Sequence, residues 1–474
     1  EDVLTGTGTN ATLNVTLGNP NDNGNALITP TLKGIATINA AFDATTANMV
    51  LDLQDSTGQV AINMTRIAEG MNATVQNIAA PTANLSVANS QSPNNNVNFT
   101  YLGAALTGAA DATTLTVSNV RTGTLRVEQN AVAPTEGYET INLVSAGAAN
   151  TITTLQAEDL ATLNITGAQA LTISGFANAA GSLSRIDGST ATGALDLTLN
   201  GVLSATADGT SGTNIALTTI TGTGADRVRI TNDSLGTTDS INTGDGVDTL
   251  DLRAQLTNNF TPATTGAALV TNAENLLVTR TVDAALVGTA ATLTVDMARI
   301  GGDQTTTLSN LGDANDLAVN FVLNNMSAGD AAGLRITHST TANNGIGFNV
   351  IDADVDTGVT TVGVSIREGV NTDPRFNFTL NADSDNTPAN VTNTVVNVAL
   401  GDNDSESNSV LLGQVARHTG TLTVSGGTAG TFLSLDATDG VGYGRLTTGA
   451  AGDETTIAAV AVETRDTAVA SAFV

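Results

Sequence analysis

Two short stretches of the sequence carry the residue types that hold a hard cation. Thr221-Gly-Thr-Gly-Ala-Asp-Arg-Val-Arg-Ile230 and Thr243-Gly-Asp-Gly-Val-Asp-Thr-Leu-Asp-Leu252 both read Gly-x-Gly-x-Asp-x-(Val/Leu). Gly222, Gly224, Gly244 and Gly246 permit tight turns with positive φ. Turn carbonyls then face inward, the carboxylates of Asp226 and Asp248 close on the ion, and Asp245 adds a further acidic oxygen. Oxygen donors of this kind select calcium over softer metals. The two aspartates lie 22 positions apart (248 − 226), so one coil of about that length sets both turns on the same edge.

Other acidic runs offer the same donors. In Gly401-Asp-Asn-Asp-Ser-Glu406, a looped backbone aims Asp402, Asp404 and Glu406 at one ion; Asp352-Ala-Asp-Val-Asp356 and Asn381-Ala-Asp-Ser-Asp-Asn386 are similar. None fits the EF-hand loop, and each by itself reads more often as a solvated turn than as a site. Asn-x-Ser/Thr acceptors at Asn14, Asn63, Asn164 and Asn377 are expected by chance in a chain so rich in Asn and Thr.

Catalytic chemistry has few candidates. Cysteine is absent, which excludes a disulfide framework, Cys-ligated zinc and a thiol nucleophile. His338 and His418 stand far apart, and neither belongs to a His-x-x-x-His pair. No Gly-x-Ser-x-Gly elbow or Gly-Lys-Ser/Thr phosphate loop occurs, and Gly440-Val-Gly-Tyr-Gly444 lacks the context of a dinucleotide fingerprint. A β-helical polysaccharide enzyme working through paired carboxylates, with Arg227 or Arg229 beside them, is the enzymatic alternative. With no Trp and 3% aromatics it would lack sugar platforms, so the expectation is a protein that is not an enzyme.

Composition narrows the partners. Sixteen basic against 45 acidic residues give a net charge of −29, which makes nucleic acid and anionic membrane poor partners. Charged residues are only 13% against a usual ~25%, and Lys33 is the single lysine. Thr, Asn, Ser and Gly must therefore keep much of the surface wet. The 41% hydrophobic fraction argues for a folded chain, and no stretch approaches the ~20 apolar residues of a membrane span.

The elements that position these residues are short strands. Thr alternates with Leu, Val or Ile in Thr12-Leu-Asn-Val-Thr-Leu17, Thr114-Leu-Thr-Val-Ser118, Thr140-Ile-Asn-Leu143 and Thr162-Leu-Asn-Ile-Thr166, between Gly, Asn, Asp and Ala turns. Links of four to seven residues between strands in 140–174 leave no room for crossover helices, so the strands form hairpins or stack as rungs of a solenoid, and Thr and Asn in register favour stacking. Residues 154–160 and 296–300 are the candidate helical turns. Glu139-Thr-Ile-Asn-Leu143 and Glu274-Asn-Leu-Leu-Val278 form a weak repeat in which an acid opens an apolar strand. Breaks at 89–98 and 257–265 suggest three segments, 1–95, 96–255 and 256–474.

The run Tyr138-Glu-Thr-Ile-Asn-Leu143, Leu163-Asn-Ile-Thr-Gly167 and Leu171-Thr-Ile-Ser-Gly175, with the turns at 221–226 and 243–248, resembles the rungs of bacterial surface-layer proteins that carry RTX calcium motifs. Thr221 and Thr243 stand where that nonapeptide has its first Gly, and tandem nonapeptides are missing. The resemblance implies type I secretion, an extracellular location at the cell surface, folding in calcium and self-assembly, with surface polysaccharide or lipopolysaccharide as a further partner. The fold expected is mostly β, elongated and solenoid-like, of stacked β-roll or β-helix strands with β-sandwich-like segments. Alternatives are a subunit of an extracellular filament or sheath, and a calcium-dependent adhesin or glycan-binding module.

Overall fold

The computed structural model describes residues 3–18, 26–179, 181–204, 215–261, 266–281 and 291–309 in full; beyond these it describes strand backbones, with side chains only at 321–327 and 330. The chain is almost entirely β and forms a β-solenoid of parallel stacked strands. Hairpins are excluded as the building unit: the strand pairs are parallel throughout the described residues, and the antiparallel contact is an isolated bridge, Glu128 to Gly137. Residues 154–156 belong to the strand Asn150–Gln156 rather than to a helical turn, whereas Met297–Arg299 is a 3-10 turn. No helix among the described residues is long and apolar enough to cross a membrane.

The chain divides into two compact units, residues 1–205, 211–229 and 238–248 in the first, and 206–210, 230–237 and 249–474 in the second. In the first, successive coils contribute to two sheets. One sheet includes Ile35–Phe42, Ala61–Ile67, Asn84–Gln91, Thr140–Ala146 and Thr162–Gly167; the other includes Met49–Asp52, Ala73–Ile78, Val97–Tyr101 and Asn150–Gln156. The long strand Ala112–Gln129 serves both, its beginning pairing with Thr140–Ala146 and its end with Asn150–Gln156. In the second unit one sheet stacks Thr249–Ala254, Asn275–Arg280 and Thr305–Asn310, and the other stacks Ala291–Asp296, Val319–Met326 and Phe348–Val355.

Stacking follows from the alternation. In a strand, every second side chain shares a face, and parallel register places each inward residue on its equivalent one coil away. Ile38, Ile62, Leu85, Leu115, Leu143 and Ile165 form one such column, at most 1% exposed. Two of the three tyrosines lie inside. Tyr101 and Tyr138 meet edge to face at 5.4 Å, and their hydroxyls, 3.0 Å apart, close a buried hydrogen-bonded knot on Thr82. The corners need left-handed backbone, which Asn89 (φ 54°), Asn119 (φ 58°) and Gly147 (φ 70°) supply in consecutive coils.

Side-chain ladders fix the register. The amide oxygen of Asn48 accepts the N–H of Asn72 at 2.8 Å, Asn72 accepts that of Asn96 at 3.0 Å, and Asn96 that of Thr124 at 2.9 Å. Glu128, whose side chain has no exposure, accepts from Arg126 and Gln156, both at 2.6 Å. Burial raises its pKa despite the Arg126 guanidinium.

Removing the Asn72 side chain leaves the Asn96 N–H without its acceptor. Asn72→Ala is expected to cost about 1 kcal/mol in urea melts, and Asn72→Asp, which keeps an acceptor oxygen, clearly less; equal losses would refute the ladder. Because the folded state favours protonated Glu128, its contribution to stability is fullest below the ordinary carboxylate range and falls as pH rises through the raised pKa. The wild type should therefore lose stability relative to Glu128→Gln as pH rises from about 4 to about 7, read by thermal melts of the two proteins.

Candidate functional site

The two Gly-x-Gly-x-Asp turns stack on each other, as their 22-residue separation requires. Thr218–Ile220 pairs in parallel with Ser240–Asn242, Ile220 opposite Asn242, so the turns that follow lie one above the other. Their backbones touch. A Cβ added at Gly244 (φ +82°) would sit 2.0 Å from the Gly222 carbonyl oxygen, and one at Gly246 2.1 Å from that of Gly224. Gly222 stands equally close to the Ala191 carbonyl of the preceding coil, and Gly224 packs on Ala194. Glycine is needed here because no side chain fits between turns bonded coil to coil, as in Asp245 N–H to the Gly222 carbonyl at 2.9 Å.

The two aspartates are buried, Asp226 at 1% and Asp248 at 0% exposure. Asp226 Oδ1 accepts the N–H of Leu195 at 2.7 Å, and its Oδ2 that of Gly222 at 2.9 Å. Asp248 Oδ1 accepts the N–H of Asp226 at 2.7 Å. Asp245 is exposed, and the neighbouring Val247 is 66% exposed. Asp402, Asp404 and Glu406 lie outside the described residues.

A shared rule emerges from where these acids sit. Asp226 and Asp248 immediately precede the strands Arg227–Thr231 and Thr249–Ala254, and each caps the N–H at the start of a strand one coil earlier. Sequence reasoning missed this role in three further acids. Asp239, just before Ser240–Asn242, accepts the Leu217 N–H at 3.0 Å, next to Thr218–Ile220. Glu139, just before Thr140–Ala146, accepts the Asp111 N–H at 2.6 Å, next to Ala112–Gln129. Asp330, which does not directly precede a strand, accepts the Gln304 N–H at 2.8 Å, next to Thr305–Asn310. The signal available was an acid directly before an apolar strand, the pattern that marks Glu139 and Glu274.

Calcium takes six to eight oxygens. The stacked turns bring together two buried carboxylates, of which Asp226 Oδ1, Asp226 Oδ2 and Asp248 Oδ1 accept main-chain N–H groups, and no cluster of three or more His, Cys, Asp or Glu able to hold a metal occurs among the described residues. These bonds form a main-chain clasp between coils.

A clasp needs no metal. Asp226→Ala leaves two buried N–H groups without their acceptor and should cost about 2–5 kcal/mol, equally in calcium and in chelator; Asp226→Asn, which keeps one acceptor, should cost less. A loss confined to calcium, read by denaturant melts, would instead place an ion at this carboxylate.

In comparisons with protein-family models, with curated proteins and with solved structures, nothing matches the chain.

Proposed function

We propose that this protein is an extracellular structural protein that assembles with copies of itself into a cell-surface layer. The observation that supports this reading best is the β-solenoid itself, a repetitive body of parallel strands stacked in register. Val60 at 50%, Val132 at 107% and Val247 at 66% exposure are large apolar side chains on its surface.

Calcium enters the proposal through charge. Copies carrying −29 each repel one another, and divalent cations between acidic loops lower that repulsion. Export by type I secretion belongs to the same reading, through the resemblance of the 138–175 rungs to RTX surface-layer proteins.

Negative-stain imaging of the purified protein in a few millimolar calcium, repeated after chelation, tests the proposal. Sheets that disperse on chelation are expected. Filaments in their place would assign the chain to a fibre or sheath, and monodisperse particles in both conditions would overturn assembly.

A further inference from the structure

The outward face of the first sheet carries a ladder of amides. Asn14, Asn39, Asn63 and Ser86 stand in register on four successive coils. Asn39 Nδ2 donates to Asn14 Oδ1 at 2.7 Å, Asn63 Nδ2 to Asn39 Oδ1 at 2.8 Å, and Ser86 Oγ to Asn63 Oδ1 at 2.7 Å. A carboxamide has two N–H donors and two acceptor lone pairs. The ladder engages one donor of Asn39 and of Asn63, and one lone pair on each amide oxygen. One N–H and one lone pair therefore remain on Asn39 and on Asn63, and both N–H groups and one lone pair on Asn14, repeated at the coil spacing of about 4.8 Å. Beside this row run the small residues Thr16 and Ala41, in register with each other. The two rows border an open, shallow groove of about 640 Å³.

We propose that this groove binds a neutral glycan chain lying across the coils. Its lining is amide, hydroxyl and methyl groups, with no charged side chain. An anion would meet no counter-charge there and a protein of net charge −29 around it; a cation would meet no carboxylate. An apolar ligand would strip water from amides and leave them unpaired. Sugar hydroxyls are donor and acceptor at once, which matches an amide that keeps one of each. One ring of an extended glycan is also close in length to one coil, so successive rings meet successive amides. The ladder holds the amides in place before the ligand arrives, so little side-chain freedom is lost on binding.

The test uses the full chain in chelator, so that binding is read independently of any calcium-driven assembly. Cellohexaose, chitohexaose and maltohexaose are titrated by calorimetry, with oligogalacturonate as the charged control. At least one neutral hexaose is expected to bind with a Kd below about 1 mM, and the charged one not to bind. Ala41→Phe, which fills the groove, should weaken binding about tenfold or more with circular dichroism and melting unchanged. Should that variant fail to fold, Thr16→Phe provides the same block. Absence of binding by all three neutral sugars, equal binding of oligogalacturonate, or an affinity untouched by a folded groove-filling variant would overturn the proposal. So would self-association that Ala41→Phe abolishes without any sugar binding, which would give the groove to a second copy of the chain.

Discussion

Main-chain pairing between one coil and the next, in parallel and in register, is the interaction on which everything else in this protein depends. A parallel strand can satisfy its N–H and C=O groups only through a neighbour that returns in the same direction, and here each coil provides that neighbour for the one before it. The consequence is that a residue's environment is its counterpart one coil away. Ile38 rests on Ile62 and Ile62 on Leu85; Asn39 bonds to Asn14 and Asn63 to Asn39. Apolar columns inside and amide ladders outside are the same repetition on two faces of one strand.

That repetition accounts for the composition. Turns stacked at main-chain distance leave no space for a Cβ at Gly222, Gly244 or Gly246, and corners with positive φ select Asn and Gly. The space between two sheets of one coil is filled by Leu, Ile and Val, so large aromatics are few, and Tyr101 and Tyr138 enter as a pair that satisfies its own hydroxyls on Thr82. A solenoid grows by adding coils rather than by enlarging one core, which is how 474 residues can fold with so little aromatic mass.

The same logic separates two populations of acid. Asp226, Asp239, Asp248 and Glu139 are drawn into the stack, where each accepts the N–H that opens a strand one coil earlier. An N–H at a strand start has no partner within its own coil, and a carboxylate is the strongest neutral-pH acceptor for it. Asp245, by contrast, faces solvent and contributes to the negative field that an assembling copy would meet.

Much of this was legible in the sequence. Period-two alternation in 140–174 marked the strands and their inward faces, the short links excluded crossover helices, and the 22-residue spacing of Asp226 and Asp248 put their turns on one edge. The role of those aspartates was not legible, nor were Asp239 or the groove over Asn14, Asn39 and Asn63. The physical reason is that local pattern fixes which side of a strand a residue takes, while the partner it meets lies a whole coil away. Coil length varies, with 22 residues between Asp226 and Asp248, 28 between Asp111 and Glu139, and 31 between Leu195 and Asp226. The sequence by itself determined a β chain of stacking strands with glycine turns; only the tertiary register decided which N–H each carboxylate holds, because that partner lies a whole coil away.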